Sequence, residues 1–175
     1  RINDIMTNDE NWADVGLGES GETYLVGDDY KLRNQSRFLI EDSNNYFKAI
    51  EDAGVPMSTI ARIRNLNSTI GLQEVRTTGT EAALAGEVGT ELFPDYREVP
   101  VLSSYRPLQI PGLNWAIMSE IDEAEAFAPI GKLARRVGFT VLGLTGFVFV
   151  AAIAFSRSIT RPLSRLSENS TALAE

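Results

Sequence analysis

The chain has 175 residues, 16 basic and 24 acidic, with a net charge of −8 and neither cysteine nor histidine. Disulfides, thiolate or imidazole metal sites, His phosphoacceptors and Ser-His-Asp or Cys-His catalytic groups are therefore excluded. A glycosidase-like carboxylate pair remains open on composition, although abundant acid in an acidic domain is ordinarily solvated surface. Charge is divided unevenly: residues 1–131 hold 10 basic and 22 acidic residues, a net of −12, and residues 132–175 hold 6 and 2, a net of +4. The acidic part argues against nucleic-acid binding, which needs a basic face. The basic part fits lipid headgroups at both ends of an apolar helix.

In chain order, Gly16 to Gly21 reads as a flexible lead-in and Glu22 to Val26 as a strand. Gly27-Asp28-Asp29 turns the chain into Tyr30–Arg33, a hairpin. Ser43 is placed to cap a helix over Asn44–Ala53, stopped by Gly54, and Pro56 opens a second one with Ile60, Ile63 and Leu66 on one face. Gln73 to Thr77 is predicted as a strand, and Glu81 to Ala85 as a short helical turn. Glu91–Phe93 and Val99–Tyr105 form a second hairpin across Pro94-Asp95-Tyr96-Arg97. Pro107, Pro111 and Gly112 mark a loop. Trp115 to Ile121 is the last strand, with Trp115, Ile117, Ser119 and Ile121 on one face and Ala116, Met118 and Glu120 on the other. About five strands with short helices between them predict an α+β domain with one antiparallel sheet.

From Asp122 the pattern turns helical, its first carboxylates complementing the positive helix N-terminus. Pro129 lies near enough to the start to be tolerated. Val137 to Phe155 (VGFTVLGLTGFVFVAAIAF) contains no charge and is long enough to span the hydrocarbon of a bilayer. Its position late in the chain excludes a signal peptide, and buried core helices usually have shorter apolar runs. Lys132, Arg135 and Arg136 on one side balance Arg157, Arg161 and Arg165 on the other, so positive charge leaves orientation open. Every seventh residue from Gly138 gives Thr145, Ala152, Ile159, Leu166 and Leu173. These are small within lipid and aliphatic beyond it, a phase suited to a parallel homodimer. Pro162 is expected to kink or restart the helix.

Two stretches, GLGESGETYLVGDDYKLRNQSRF (16–38) and DYREVPVLSSYRPLQIPGLNWAIMSEIDEAEAF (95–127), resemble the Cache domains of bacterial transmembrane receptors. The closest likeness is to the membrane-proximal unit found before adenylate/guanylate cyclases. Ile159 to Leu166 (ITRPLSRL) resembles the opening helix of a HAMP linker. The resemblance implies a PAS-like fold with a central antiparallel sheet and helices packed on one side. It divides the chain into an extracytoplasmic Cache domain (1–131), a juxtamembrane and transmembrane helix (132–156) and the start of a HAMP linker (157–175), in a bacterial cytoplasmic membrane. It also implies that a distal, ligand-binding half precedes Arg1. Two departures concern turns: the family's Pro-Asp-Gly is Asp28-Asp29-Tyr30 here, and Glu98 replaces the glycine of Asp-Tyr-Arg-Gly.

The expected function is that of a sensor and transmitting segment controlling a cytoplasmic output absent from this chain. A nucleotide cyclase is favoured over a histidine kinase, chemoreceptor or phosphatase. A membrane-anchored enzyme and a passive assembly module are the alternatives. The segment itself carries no expected catalytic group, metal or cofactor. Its partners would be the bilayer, a second copy and a small ligand or periplasmic protein. Candidate ligand contacts are Tyr24, Arg33, Arg37, Tyr105 and Asp122, since arginine can fork a carboxylate and tyrosine can close a small pocket. Otherwise Arg33 and Arg37 pair with carboxylates of the domain, and the tyrosines pack.

Overall fold

A computed structural model describes residues 2–160, in two compact units that meet at Phe127 and Ala128. In the first unit, four strands form one antiparallel sheet in the order β1-β4-β3-β2. These are β1 (Glu22–Gly27), β2 (Gly89–Pro94), β3 (Pro100–Ile110) and β4 (Leu113–Asp122). β1 and β4 pair with Glu22 opposite Glu120 and Gly27 opposite Trp115. The alternation read from the sequence sets the faces of β4: Ala116, Met118 and Glu120 are buried, while Trp115, Ile117 and Ser119 are half-buried.

The covering layer comes from the segment between β1 and β2: α2 (Arg37–Glu41), α3 (Ser43–Asp52), α4 (Met57–Leu66) and α5 (Thr78–Leu84). Ser36 caps α2 and Asp42 caps α3, each side chain accepting a backbone N–H of the first turn. Thr77 and Thr80 close a reciprocal capping box on α5. Tyr46 and Ile50 of α3 and Ile60 and Ile63 of α4 meet Tyr24, Val26, Val75 and Met118 in one core. Two short elements precede the sheet: a helix Ile2–Thr7 (α1) and a 3-10 turn Trp12–Val15. Ile5, Met6 and Val15 border a hollow of about 400 Å³ with Thr23, Ile117 and Ser119, so this segment lies against the opposite face of the sheet.

Several predicted elements are corrected. There are four strands among the described residues. Tyr30–Arg33 returns alongside β1 through one bridge, Val26 to Leu32, and is no full strand. Gln73–Thr77 is no strand either. Lys31 bridges Glu74, the Val75 N–H reaches the Tyr30 carbonyl, and Thr77 is committed to capping α5. Asp42, not Ser43, caps α3, and Leu66 is exposed at the end of α4. Pro107 lies within β3 rather than in a loop. It stands past Tyr105, the last β3 residue paired with β2, where β3 has become an edge and a missing N–H is tolerated. Asp122 ends β4, and the final helix starts at Glu123.

The turns at residues 27–30 and 95–98 share one construction. The Tyr30 N–H closes on the Gly27 carbonyl at 2.9 Å, and the Glu98 N–H on the Asp95 carbonyl at 3.0 Å. In each case the closing residue is left-handed, φ 59° at Tyr30 and 61° at Glu98. These are positions where glycine costs least.

The long helix α6 (Glu123–Phe155) contains the whole uncharged run, and Pro129 sits inside it. By length and composition the stretch Glu123–Ser158 can cross a membrane, and none of its most apolar window is buried within the chain. A π-helical turn, Ser156–Thr160, follows. Pro162, Leu166, Leu173 and most of the HAMP-like stretch lie outside the described residues.

Candidate functional site

The buried face of the sheet holds an unusual amount of charge. Glu22 and Glu120 are cross-strand neighbours at one end of the β1–β4 pair, 3% and 5% exposed. Directly opposed side chains in such a pair have Cβ atoms about 5 Å apart. The Glu22 carboxylate accepts the Arg37 backbone N–H at 2.6 Å and the Tyr96 hydroxyl at 2.8 Å. Tyr96 is held in turn by Ser36, 2.8 Å away. Glu120 accepts the Ser103 hydroxyl at 2.9 Å. Tyr24, two residues after Glu22 on the same face, is fully buried, with its ring edge-to-face on Tyr96. Its hydroxyl has no aligned hydrogen-bond partner, although burial and then the Glu120 charge push its pKa well up. Burial raises both carboxyls. Glu22 is raised despite its hydrogen bonds, and Glu120 reaches about 7, with Asp95 and Glu22 adding to the burial.

A second set of contacts ties this end of the sheet to its surroundings. Arg97 bonds Asp95 at 2.6 Å and Asp122 at 2.8 Å while its guanidinium lies over the Phe38 ring. The Asp122 N–H donates to the Ser20 hydroxyl at 3.0 Å. Glu125, in the first turn of α6, accepts the Glu19 and Ser20 N–H groups at 2.9 and 2.7 Å and also binds the Ser20 hydroxyl. From the other side Arg37 donates to the carbonyls of Gly21 and Gly18 at 2.6 and 3.0 Å. The Gly16–Gly21 stretch, read from the sequence as flexible, is thus clasped between α2 and α6. Gly18 is left-handed, and a Cβ there would collide with the Glu125 carboxylate.

Two hollows flank the β2–β3 turn. One of about 210 Å³ is bordered by Phe38, Tyr46, Ala49 and Arg97. The other, about 350 Å³, carries Lys31, Arg62 and Arg76 with Glu74, Asp95 and Glu98. The second reaches the size range of small-molecule pockets and mixes both signs of charge. No group of three or more carboxylates among the described residues is placed to hold a metal ion.

The five residues picked out as ligand contacts do not converge on one pocket. Tyr24 and Tyr105 share a face, each opposite Met118 from its own side of β4. Tyr105 donates to Glu91 at 3.0 Å. Asp122 belongs to the Arg97 bridge. Arg33 lies by Trp115, paired with Asp29 at 2.7 Å and bonded to the Lys31 carbonyl. Arg37 is buried, 3.0 Å from Glu41, with its guanidinium over the Trp12 ring. Both arginines therefore have carboxylate partners in their own domain. Glu22, Glu120, Tyr96 and Arg97 were not among the candidates. The available signal was a charged residue in period-two register with core residues: Glu22 with Tyr24 and Val26, and Glu120 with Met118 and Ala116.

Comparison of the chain with protein-family models, curated proteins and solved structures gives no match.

Proposed function

We propose that this chain is the sensor and transmitting segment of a bacterial membrane receptor, with residues 1–131 outside the cytoplasm and 157–175 inside. The observation that carries the reading is the direct junction of β4 with α6. Asp122 ends the strand, Glu123 begins the helix, and that helix contains the apolar run. A strand continued by a helix passes displacement on, where a flexible loop would absorb it. Glu125, clasped to the loop before β1, adds a second tie to the start of the helix. The resemblance to membrane-proximal Cache units and to a HAMP helix supports the same assignment, and with it a PAS-like fold and a nucleotide cyclase as the output. The receptor would work as a parallel homodimer with Gly138, Thr145 and Ala152 at the helix contact. A ligand or partner would act through its different affinity for two arrangements of that dimer.

The test is topological and uses a chain with no cysteine of its own. Ser58→Cys lies on an exposed position of α4, and Ser167→Cys lies beyond the apolar run. An impermeant thiol reagent added to intact cells labels the first and spares the second. Labelling of the second alone overturns the orientation, and labelling of both before lysis removes the membrane crossing.

A further inference from the structure

The buried acid pair is unexplained by packing. Two carboxylates directly opposite each other repel if both are ionised, and the buried Tyr24 hydroxyl beside Glu120 lacks an aligned partner. A single proton removes the repulsion. Held on Glu120, it neutralises one of the two opposed charges, while the Tyr24 hydroxyl beside that carboxyl can donate to it when it is ionised. We propose that Glu22, Glu120 and Tyr24 form a proton-binding site that governs the β1–β4 pairing at the end nearest α6, making the outer domain responsive to acidity.

The neighbours fit this assignment. From β1 come Glu22 and Tyr24, and from β3 comes Ser103, which donates to Glu120. The β2–β3 turn supplies Tyr96 on Glu22, with Asp95 and Arg97 bonded to each other. Arg97 is shared with Asp122, so its charge is already matched by two carboxylates. α2 supplies the Arg37 backbone N–H to Glu22, while the Arg37 guanidinium is engaged with Glu41, Gly18 and Gly21. α3 supplies Tyr46, whose hydroxyl is bonded to Gln73. α5, packed on β3 and β4, brings Gly79 against Met118, and its one charged residue, Glu81, is exposed and paired with Arg76 at 3.7 Å. Among the described residues no cation is bonded to Glu120, so a proton is the means of neutralising it. Losing that proton would set two like charges opposite one another, which destabilises a cross-strand pair.

That the site bears on signalling rests on the receptor reading above; proton binding itself does not. The test is carboxyl NMR of the full chain in lipid nanodiscs, with glutamate labelled at the side-chain carbon. A titration step centred near pH 7 is expected, accompanied by the amide signals of Thr23 and Ile121. It disappears in Glu120→Gln. It moves up in Tyr24→Phe, which removes a group that favours the ionised form, and down by about one pH unit in Glu22→Gln, which removes the opposed charge. Should Glu120→Gln not fold, the two shifts in the other variants decide the matter. Absence of a step between about pH 6 and pH 8, its survival in Glu120→Gln, or a midpoint unmoved by both other variants overturns the site. None of these outcomes depends on which side of the membrane the domain faces.

Discussion

Replacing Glu98 by glycine should stabilise the domain that holds the sheet. Glu98 closes the β2–β3 turn at φ 61°, a conformation that costs a residue with a Cβ about 1–2 kcal/mol. Its exposed side chain makes no hydrogen bond or ion pair among the described residues, so little is lost with it. Glycine adds unfolded-chain entropy, which takes back roughly 0.4–1 kcal/mol. The net gain is about 0.5–1 kcal/mol, or a rise in Tm of roughly 2–4 °C for a unit of this size. Glu98→Ala is the control. It removes the same carboxylate and keeps the Cβ, so its Tm should stay near that of the natural chain. The assay is thermal unfolding of the chain in nanodiscs, followed by circular dichroism. If the glycine and alanine variants melt together, left-handed strain at this turn is not what limits stability there. The parallel change Tyr30→Gly is less clean, because it also removes the ring over which Arg76 lies.

Glu125→Ala should free the Glu19 and Ser20 amides. Loss of charge-assisted hydrogen bonds worth about 1.5 kcal/mol raises their hydrogen exchange roughly tenfold, while amides in the middle of β4 keep their protection; unchanged exchange at both loop amides would show that the clasp is not formed. The pH dependence of stability should run against the usual acid sensitivity. Glu120 has a folded pKa of about 7 against 4.5 when free, so the folded state binds more protons between those values. Its stabilising contribution is complete below about 4.5 and falls through the interval by an amount on the order of 3 kcal/mol. Chemical denaturation should find the domain less stable at pH 8 than at pH 5, with the difference reduced in Glu120→Gln. Equal stability at both pH values would contradict the burial argument.

What was legible in the sequence is what repeats. Period-two alternation set both faces of β4, and nineteen uncharged residues marked the span of α6. The misread elements are those whose backbone groups find single, non-repeating partners. Gln73–Thr77 has strand-forming residues, but its N–H and C=O groups are taken up by Tyr30, Lys31 and the α5 cap. Arg33 and Arg37 looked available because sequence shows charge and not its partner; Asp29 and Glu41, each four residues away, already answer them. The lead-in loop looked loose for its glycines, yet Gly18 is there because the Glu125 carboxylate needs the space of its missing Cβ. The acid pair escaped notice for a different reason. Each glutamate is unremarkable alone, and only the β1–β4 register sets one against the other.

That register also decides how the domain would yield to force. Glu22 begins β1 and Glu120 lies near the end of β4, so the chain enters one strand and leaves the other at the same edge of the ladder. A pull on α6, opposed through the loop before β1, acts on both strands from that edge. Cross-strand bonds lie perpendicular to the strands, so they would part in sequence, one rung at a time, rather than sharing the load as they do in shear. The rung at the loaded edge is Glu22–Glu120. The sheet is therefore compliant at the edge where these strands meet the rest of the chain and stiff further along, and the least tension needed to begin opening it is set at the two opposed carboxylates.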